Sequence, residues 1–266
     1  MIKRVVLHFD INGTITPIDT TEPGSKTDNS NMVISKSVFG KVINGQWILN
    51  NDIHEETDSI TYYDYLKTID NNYKKKSFTF TKENEPGHSL AYLVPILIES
   101  MDTFLFQSFL NVMDKYPDAL IVFRTFGLDS DEVIDYLRTN DKTKKTFQNI
   151  LKGEFTYAND TMALLLEDGK TIKTPDDFNE LLISTSVHLA LKESYDYWNK
   201  GGKRAKERGK QLIGSEDMIQ LFFDDNDCVV IINDQNTYFI KVNTLEALNN
   251  DSYYVDLIDK TLAQTS

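Results

Sequence analysis

Cysteine, histidine and basic residues are scarce in this chain, and each shortage removes a class of function. Cys228 is the single cysteine, so an internal disulfide and a zinc site built on several thiolates are both excluded. A reducing, cytoplasmic setting is the expectation. Of the four histidines, His54, His88 and His188 have no metal-ligand spacing, and His8 lies inside an apolar run where a packed core role fits best. Lys and Arg total 28 against 41 Asp and Glu, a net charge of -13, which argues against binding nucleic acid or an anionic membrane. No apolar run approaches the roughly 18 residues of a membrane span, and too few apolar residues precede Asp10 for a signal peptide. At 266 residues the chain has room for one large domain, or one domain with a sizeable insert.

What the sequence does have is a set of apolar runs that end in polar, chemistry-bearing residues. Val5 to Phe9 leads into Asp10-Ile11-Asn12-Gly13-Thr14. Ala119 to Phe123 leads into Arg124-Thr125-Phe126-Gly127, and Ile219 to Phe223 leads into Asp224-Asp225. Contiguous β-branched and aromatic residues of this kind predict fully buried parallel strands. Ser130-Asp131-Glu132 reads as a helix start after the second run. Alternating strands and helices predict an α/β fold with a mainly parallel, Rossmann-like sheet, whose ligands sit at the carboxyl ends of the strands.

Between the first and second runs lies a long intervening stretch. Residues 16–31, rich in Pro, Gly, Ser, Thr and Asp, read as an exposed loop. Asn44-Gly45 between two apolar segments predicts a type I′ hairpin near 38–49. Residues 60–70 have helical spacing, and 89–116 read as mainly helix with a wide apolar stripe from Leu93 to Met113. The predicted organisation is a discontinuous core, 1–16 and 112–266, with an inserted module at 17–111. Further along, a short hairpin is expected around Asp168-Gly169 and a helix from Thr174-Pro175. Residues 187–191 fit either a strand or a helix start. Strands are expected at 229–232 and 238–242, with a C-terminal helix after them.

The Asp10–Thr14 segment, Thr125 after the second strand, a lysine-bearing stretch, and Asp224-Asp225 after the third resemble, in that order, the signatures of the haloacid-dehalogenase-like (HAD) superfamily. The resemblance covers roughly residues 3–16 and 115–243. It implies a Rossmann-like HAD core with an inserted cap module. It further implies a magnesium-dependent phosphate-ester hydrolase acting on a small phosphorylated metabolite. Asp10 would be the nucleophile that forms an aspartyl-phosphate. Mg2+ would be held by Asp10, the Asn12 backbone carbonyl, Asp224 and Asp225. Thr125 and Gly127 would meet the phosphoryl oxygens, and Lys203 would offset the negative charge, with Lys210 as the competing choice. Arg124 reads as a strand-end residue or a phosphate contact.

Asn12 departs from the family pattern. The family's second aspartate gives a proton to the leaving oxygen and later takes one from water, and an amide can do neither. General acid–base catalysis typically contributes about 10²–10⁴-fold, so its loss slows poor leaving groups most. Two expectations therefore stand together: a slow phosphatase, or a catalytically impaired protein that binds a phosphorylated ligand or partner in a regulatory role.

Overall fold

The computed structural model describes residues 3–17, 24–50, 57–101, 104–202 and 205–265. Its centre is an eight-stranded sheet in the order Thr237–Lys241, Met218–Asp224, Arg4–Phe9, Leu120–Thr125, His188–Lys192, Ile150–Ala158, Thr161–Leu166, Thr171–Ile172. The first six run parallel, and Thr161–Leu166 turns back antiparallel. The architecture is α/β and compatible with a Rossmann-like core.

Alternation along the strands explains the two-sided burial. Leu7, Phe9, Ile121, Phe123, Leu221 and Phe223 belong to one apolar cluster, and Val6, Leu120, Val122, Leu189 and Leu191 to another. Side chains on a strand alternate between faces, so an unbroken apolar run fits only where both faces are covered. Helices Gln107–Lys115, Ser130–Thr139 and Tyr253–Gln264 supply apolar residues to the first cluster. Helix Pro175–Ser184, started by its Thr174 N-cap, supplies Phe178, Leu181 and Leu182 to the second. Phe9 stacks on Phe223 at 4.8 Å and meets Phe109 and Tyr254 edge-on. Each such ring contributes about 1.5–3 kcal/mol when buried. This packing lies directly beneath Asp10 and Asp224, so it fixes the two strand ends side by side.

From Arg4–Phe9 the chain moves to Leu120–Thr125, passes through the outer strands Ile150–Ala158, Thr161–Leu166 and Thr171–Ile172, and comes back to His188–Lys192, all on one side of Arg4–Phe9. It returns to Met218–Asp224 and Thr237–Lys241 on the other. The strand order reverses beside Arg4–Phe9, and in open α/β sheets such a reversal opens a crevice at the carboxyl ends of the strands.

Residues 26–101 form a separate apolar cluster built on Val33, Ile34, Trp47, Tyr62, Phe80 and Leu97, which also takes in Leu245. The hairpin of Phe39–Ile43 and Gln46–Leu49 is present, with Asn44 and Gly45 both at positive φ as a type I′ turn requires. Tyr62–Ile69 is helical.

Two local expectations are corrected. Part of the stretch expected to be an exposed loop is helix: Lys26–Ser37 starts from a Ser25/Asp28 capping box and buries Asn29, Ser30 and Asn31. The helix expected over 89–116 is broken into Leu93–Ser100 and Gln107–Lys115, because its stripe serves two cores. Leu97 goes to the 26–101 cluster, whereas Leu105, Phe106 and Phe109 go to the main one. At the break, extended Phe106 donates its N–H to the Ile15 carbonyl at 2.9 Å, which ties the chain back to the loop after Arg4–Phe9. The strand expected at 229–232 is present as Val229–Ile232, paired in parallel with Lys210–Ile213 in a two-stranded sheet of its own. No helix among the described residues is long and apolar enough to cross a membrane.

Candidate active site

Three strands deliver their terminal residues to the crevice. Asp10 follows Arg4–Phe9, Thr125 ends Leu120–Thr125, and Asp224 ends Met218–Asp224 with Asp225 next. The Asp10 N–H donates to the Phe223 carbonyl at 2.9 Å, which continues the strand pairing one residue further and sets Asp10 beside Asp224. Asp10, Asp224 and Asp225 are all buried, and one carboxylate oxygen from each lies within 4.8 Å of the others.

Lys210 completes the cluster. It opens Lys210–Ile213 and is 1% exposed. Its ammonium donates to Asp10 Oδ1 at 2.5 Å, Asp224 Oδ2 at 2.8 Å and the Arg124 carbonyl at 2.9 Å. All three protons of the group are used. Lys36, on the last turn of Lys26–Ser37, reaches Asp225 Oδ2 at 2.9 Å. Burial opposes charge on Lys210, but Asp10 and Asp224 outweigh it and hold its pKa well above the ordinary lysine value. For Asp10, burial together with the charges of Asp224 and Asp225 exceeds the pull of Lys210, and its carboxyl is pushed well above the usual range. Burial raises Asp224 likewise. Two ammonium groups therefore under-neutralise three buried carboxylates.

That donor set suits a hard divalent cation. It is all oxygen and short of positive charge, and magnesium prefers one or two carboxylates plus waters. The nearby thiol is not a competing soft ligand. Burial and the charge of Asp224 push Cys228 well above its ordinary pKa, and the neutral thiol donates to Asp224 Oδ2 at 3.0 Å.

Backbone turns shape the rest. Gly13 adopts φ +74°, and a Cβ there would come within 2.7 Å of Asp225 Oδ2. Thr14 Oγ1 accepts the Asp225 N–H at 3.1 Å, and Thr244 donates to the Gly13 carbonyl at 2.6 Å. Thr125 Oγ1 accepts the Gly127 N–H at 3.0 Å, which leaves the threonine hydroxyl proton for another acceptor. A cavity of about 630 Å³ opens above these groups. Asp10, Asn12, Thr125, Gly127, Lys210, Asp224 and Asp225 all line it.

Of the residues expected from the sequence, Lys203 lies outside the described residues. Lys210, the competing choice, is the described lysine that bridges Asp10 and Asp224. Arg124 is fully buried, pairs with Glu193 and donates to the Gln211 carbonyl at 3.1 Å. Asp129 was not singled out from the sequence. It precedes helix Ser130–Thr139 without capping it, and its Oδ2 instead accepts the Asn12 side-chain amide at 2.8 Å. Only its place two residues after Gly127, just before the helix, could have flagged it.

Compared with protein-family models, curated proteins and solved structures, the chain matches none.

Proposed function

We propose that the protein is a magnesium-dependent phosphate-ester hydrolase that works through an aspartyl-phosphate on Asp10. The observation that carries this reading is the buried Asp10–Asp224–Asp225 cluster, bridged by Lys210 at the floor of a cavity where the strand order reverses. The motif order that resembles the HAD superfamily supports the same reading. Asp10, Asp224 and Asp225 would hold Mg2+, with the Asn12 carbonyl as a further oxygen. Bound there, the ion neutralises phosphoryl and carboxylate charge that two lysines leave uncompensated.

The chain's own residues account for the remaining chemistry. Lys210 holds Asp10 Oδ1, while Asp10 Oδ2 accepts no hydrogen bond from a described residue. A carboxylate oxygen of Asp10 bonds to phosphorus as the ester P–O bond breaks. Water then attacks the acyl phosphate, giving inorganic phosphate and restoring Asp10. Thr125 and the backbone near Gly127 face the phosphoryl oxygens, and residues 26–101 act as a cap whose Tyr63, Lys36 and Lys67 line the cavity. Trp47 and Tyr62 pack within that unit instead.

Asn12 supports a second reading. With no proton to give, the leaving oxygen must depart as its anion or be protonated by solvent. A protein so equipped is either slow or a binder of phosphorylated ligands in a regulatory role. Incubation with phosphorylated compounds and Mg2+, followed by acid quenching and mass spectrometry of the Asp10 peptide, separates the two. Turnover or a phosphorylated Asp10 supports the hydrolase. Tight binding with neither supports the binder, and no Mg2+-dependent binding or turnover at all rejects both.

A further inference from the structure

The cavity above the carboxylates has two unlike walls, and both begin at its floor. Phe126 stacks on Trp198 at 4.7 Å with 14° between the planes and meets Tyr195 edge-on at 6.4 Å. The Lys210 ammonium lies 5.1 Å from the Phe126 ring centre, so this apolar wall starts beside the Asp10–Lys210 pair. The lining also holds Tyr63 and Tyr73, edge to face at 5.4 Å. Lys36, which holds Asp225, is 5.3 Å from the Tyr63 ring, so the second wall starts beside Asp225.

Polar groups are distributed unevenly. The lining residues with neutral amide or aliphatic hydroxyl side chains are Asn12, Thr125, Asn226 and Thr244. All four belong to the floor: Asn12 is two residues from Asp10, Thr125 ends its strand, Asn226 donates to Asp225 Oδ1, and Thr244 donates to the Gly13 carbonyl. The rest of the lining includes the aromatic rings, three of them tyrosines with a phenolic hydroxyl at the edge, Asp227, and two more lysines, Lys67 and Lys74. Lys67 lies 4.8 Å from the Tyr63 ring and also pairs with Asp64 at 3.0 Å.

A polyol phosphate would lay hydroxyls on the stacked faces of Phe126 and Trp198, which offer no hydrogen-bond partner, at a cost of about 1–3 kcal/mol for each one left unpartnered. A flat ring instead gains apolar burial and stacking. Phosphate oxygens suit the floor, and a negative group beyond the ring suits the lysines. Asn12 points the same way, since an aryl oxygen leaves without a proton.

Building on the hydrolase reading above, we propose that the ligand is an aromatic or heteroaromatic phosphomonoester, its ring one or two bonds from the phosphate oxygen, that carries a second negative group. The ring lies between the Phe126/Trp198 wall and the Tyr63 wall, and the second charge meets Lys67 and Lys74.

Phosphonates test this without turnover, because their C–P bond is not hydrolysed. With saturating Mg2+, calorimetry would compare orthophosphate, propylphosphonate, benzylphosphonate and 4-carboxybenzylphosphonate. Benzylphosphonate should bind about tenfold tighter than propylphosphonate, and the carboxylate should add about threefold. Trp198→Ala should erode the ring preference with orthophosphate affinity unchanged. Lys67→Met should remove only the carboxylate gain. Equal affinity for benzyl and propyl compounds, with orthophosphate still bound, overturns the aromatic ligand but leaves the hydrolase reading intact. Ring selectivity that survives both Trp198→Ala and Tyr63→Ala overturns the assigned walls, and a missing carboxylate gain overturns the second charge. If no phosphonate or orthophosphate binds with Mg2+, the hydrolase reading fails and takes this proposal with it.

Discussion

The side-chain amide of Asn12 donates to Asp129 Oδ2 at 2.8 Å, and glycine at position 127 leaves room for the contact. A Cβ on Gly127 would overlap that same Asp129 oxygen. The residue that departs from the phosphatase pattern is thus held by a carboxylate on the next loop.

Asn12→Asp would set a second carboxyl against Asp129. Two carboxylates at hydrogen-bonding distance cannot both ionise and share one proton. If the protein is the hydrolase proposed above, that proton is what the leaving group lacks. Turnover of an alkyl phosphate should rise by ~10²-fold or more, with Mg2+ affinity similar. The gain should shrink in Asn12→Asp/Asp129→Asn, measured by phosphate release across pH. Unchanged turnover in a correctly folded Asn12→Asp protein would remove residue 12 from proton transfer.

Lys210→Met removes three hydrogen bonds and leaves Asp10 and Asp224 facing each other without their shared cation. Breaking a buried charge pair from one side typically destabilises by about 3–5 kcal/mol. Added Mg2+ should raise the melting temperature of the variant more than that of the parent, because a cation that binds only the folded form stabilises it by mass action. Thermal melts with and without Mg2+ check both. A variant that melts like the parent would show that Lys210 contributes nothing to the cluster's balance.

One buried histidine, His8, and one half-buried histidine, His188, make stability depend on pH. His188 Nδ1 accepts the Ile121 N–H at 3.0 Å, and burial, helped by Arg4, lowers its pKa to about 4. His8 stacks on Phe222 and is lowered to about 3 by burial and then by Arg124, against the opposing hydrogen bond to Gln220. Between pH 6.5 and these values the unfolded chain binds protons that the folded chain refuses. Stability should therefore fall as pH drops through that window, by up to about 1.4 kcal/mol per pH unit for each histidine. Above pH 6.5 neither contributes a slope. Urea midpoints from pH 7 to 4.5 should decline less steeply for His188→Gln, and parallel declines would refute the assignment.

The central strands were legible because their apolar residues are contiguous, and a strand covered on both faces tolerates little else. Asp10, Thr125, Asp224 and Asp225 were legible as the residues that end those runs. Helix Lys26–Ser37 was hidden by its own chemistry. Its buried positions include Asn29, Ser30, Asn31 and Ser35, and Ser30 and Asn31 bond back to carbonyls four residues earlier. Such a stretch has the composition of a loop, and only the Ser25–Asp28 box gives it away. Lys210 was hard to choose because it closes a run of basic residues, any of which fits a solvated helix face as well as a site. What distinguishes it is the apolar Leu212-Ile213 that follows, the mark of a strand entering the interior. Asp129 carried no signal of its own, since an aspartate ahead of a helix reads as an ordinary cap.

Lys36 spans two bodies of the molecule. It rides the last turn of a helix whose Val33 and Ile34 anchor the 26–101 cluster, while its ammonium grips an oxygen of Asp225. That ion pair joins helix and cleft alongside the Lys241–Asp64 pair at 3.3 Å and the hydrogen bond from the Asn243 side-chain amide to the Ser37 carbonyl at 2.9 Å. Positive charge arriving at Asp225 weakens the Lys36 contact and negative charge strengthens it, so the occupant of the crevice acts on one of the links that hold helix Lys26–Ser37 in place.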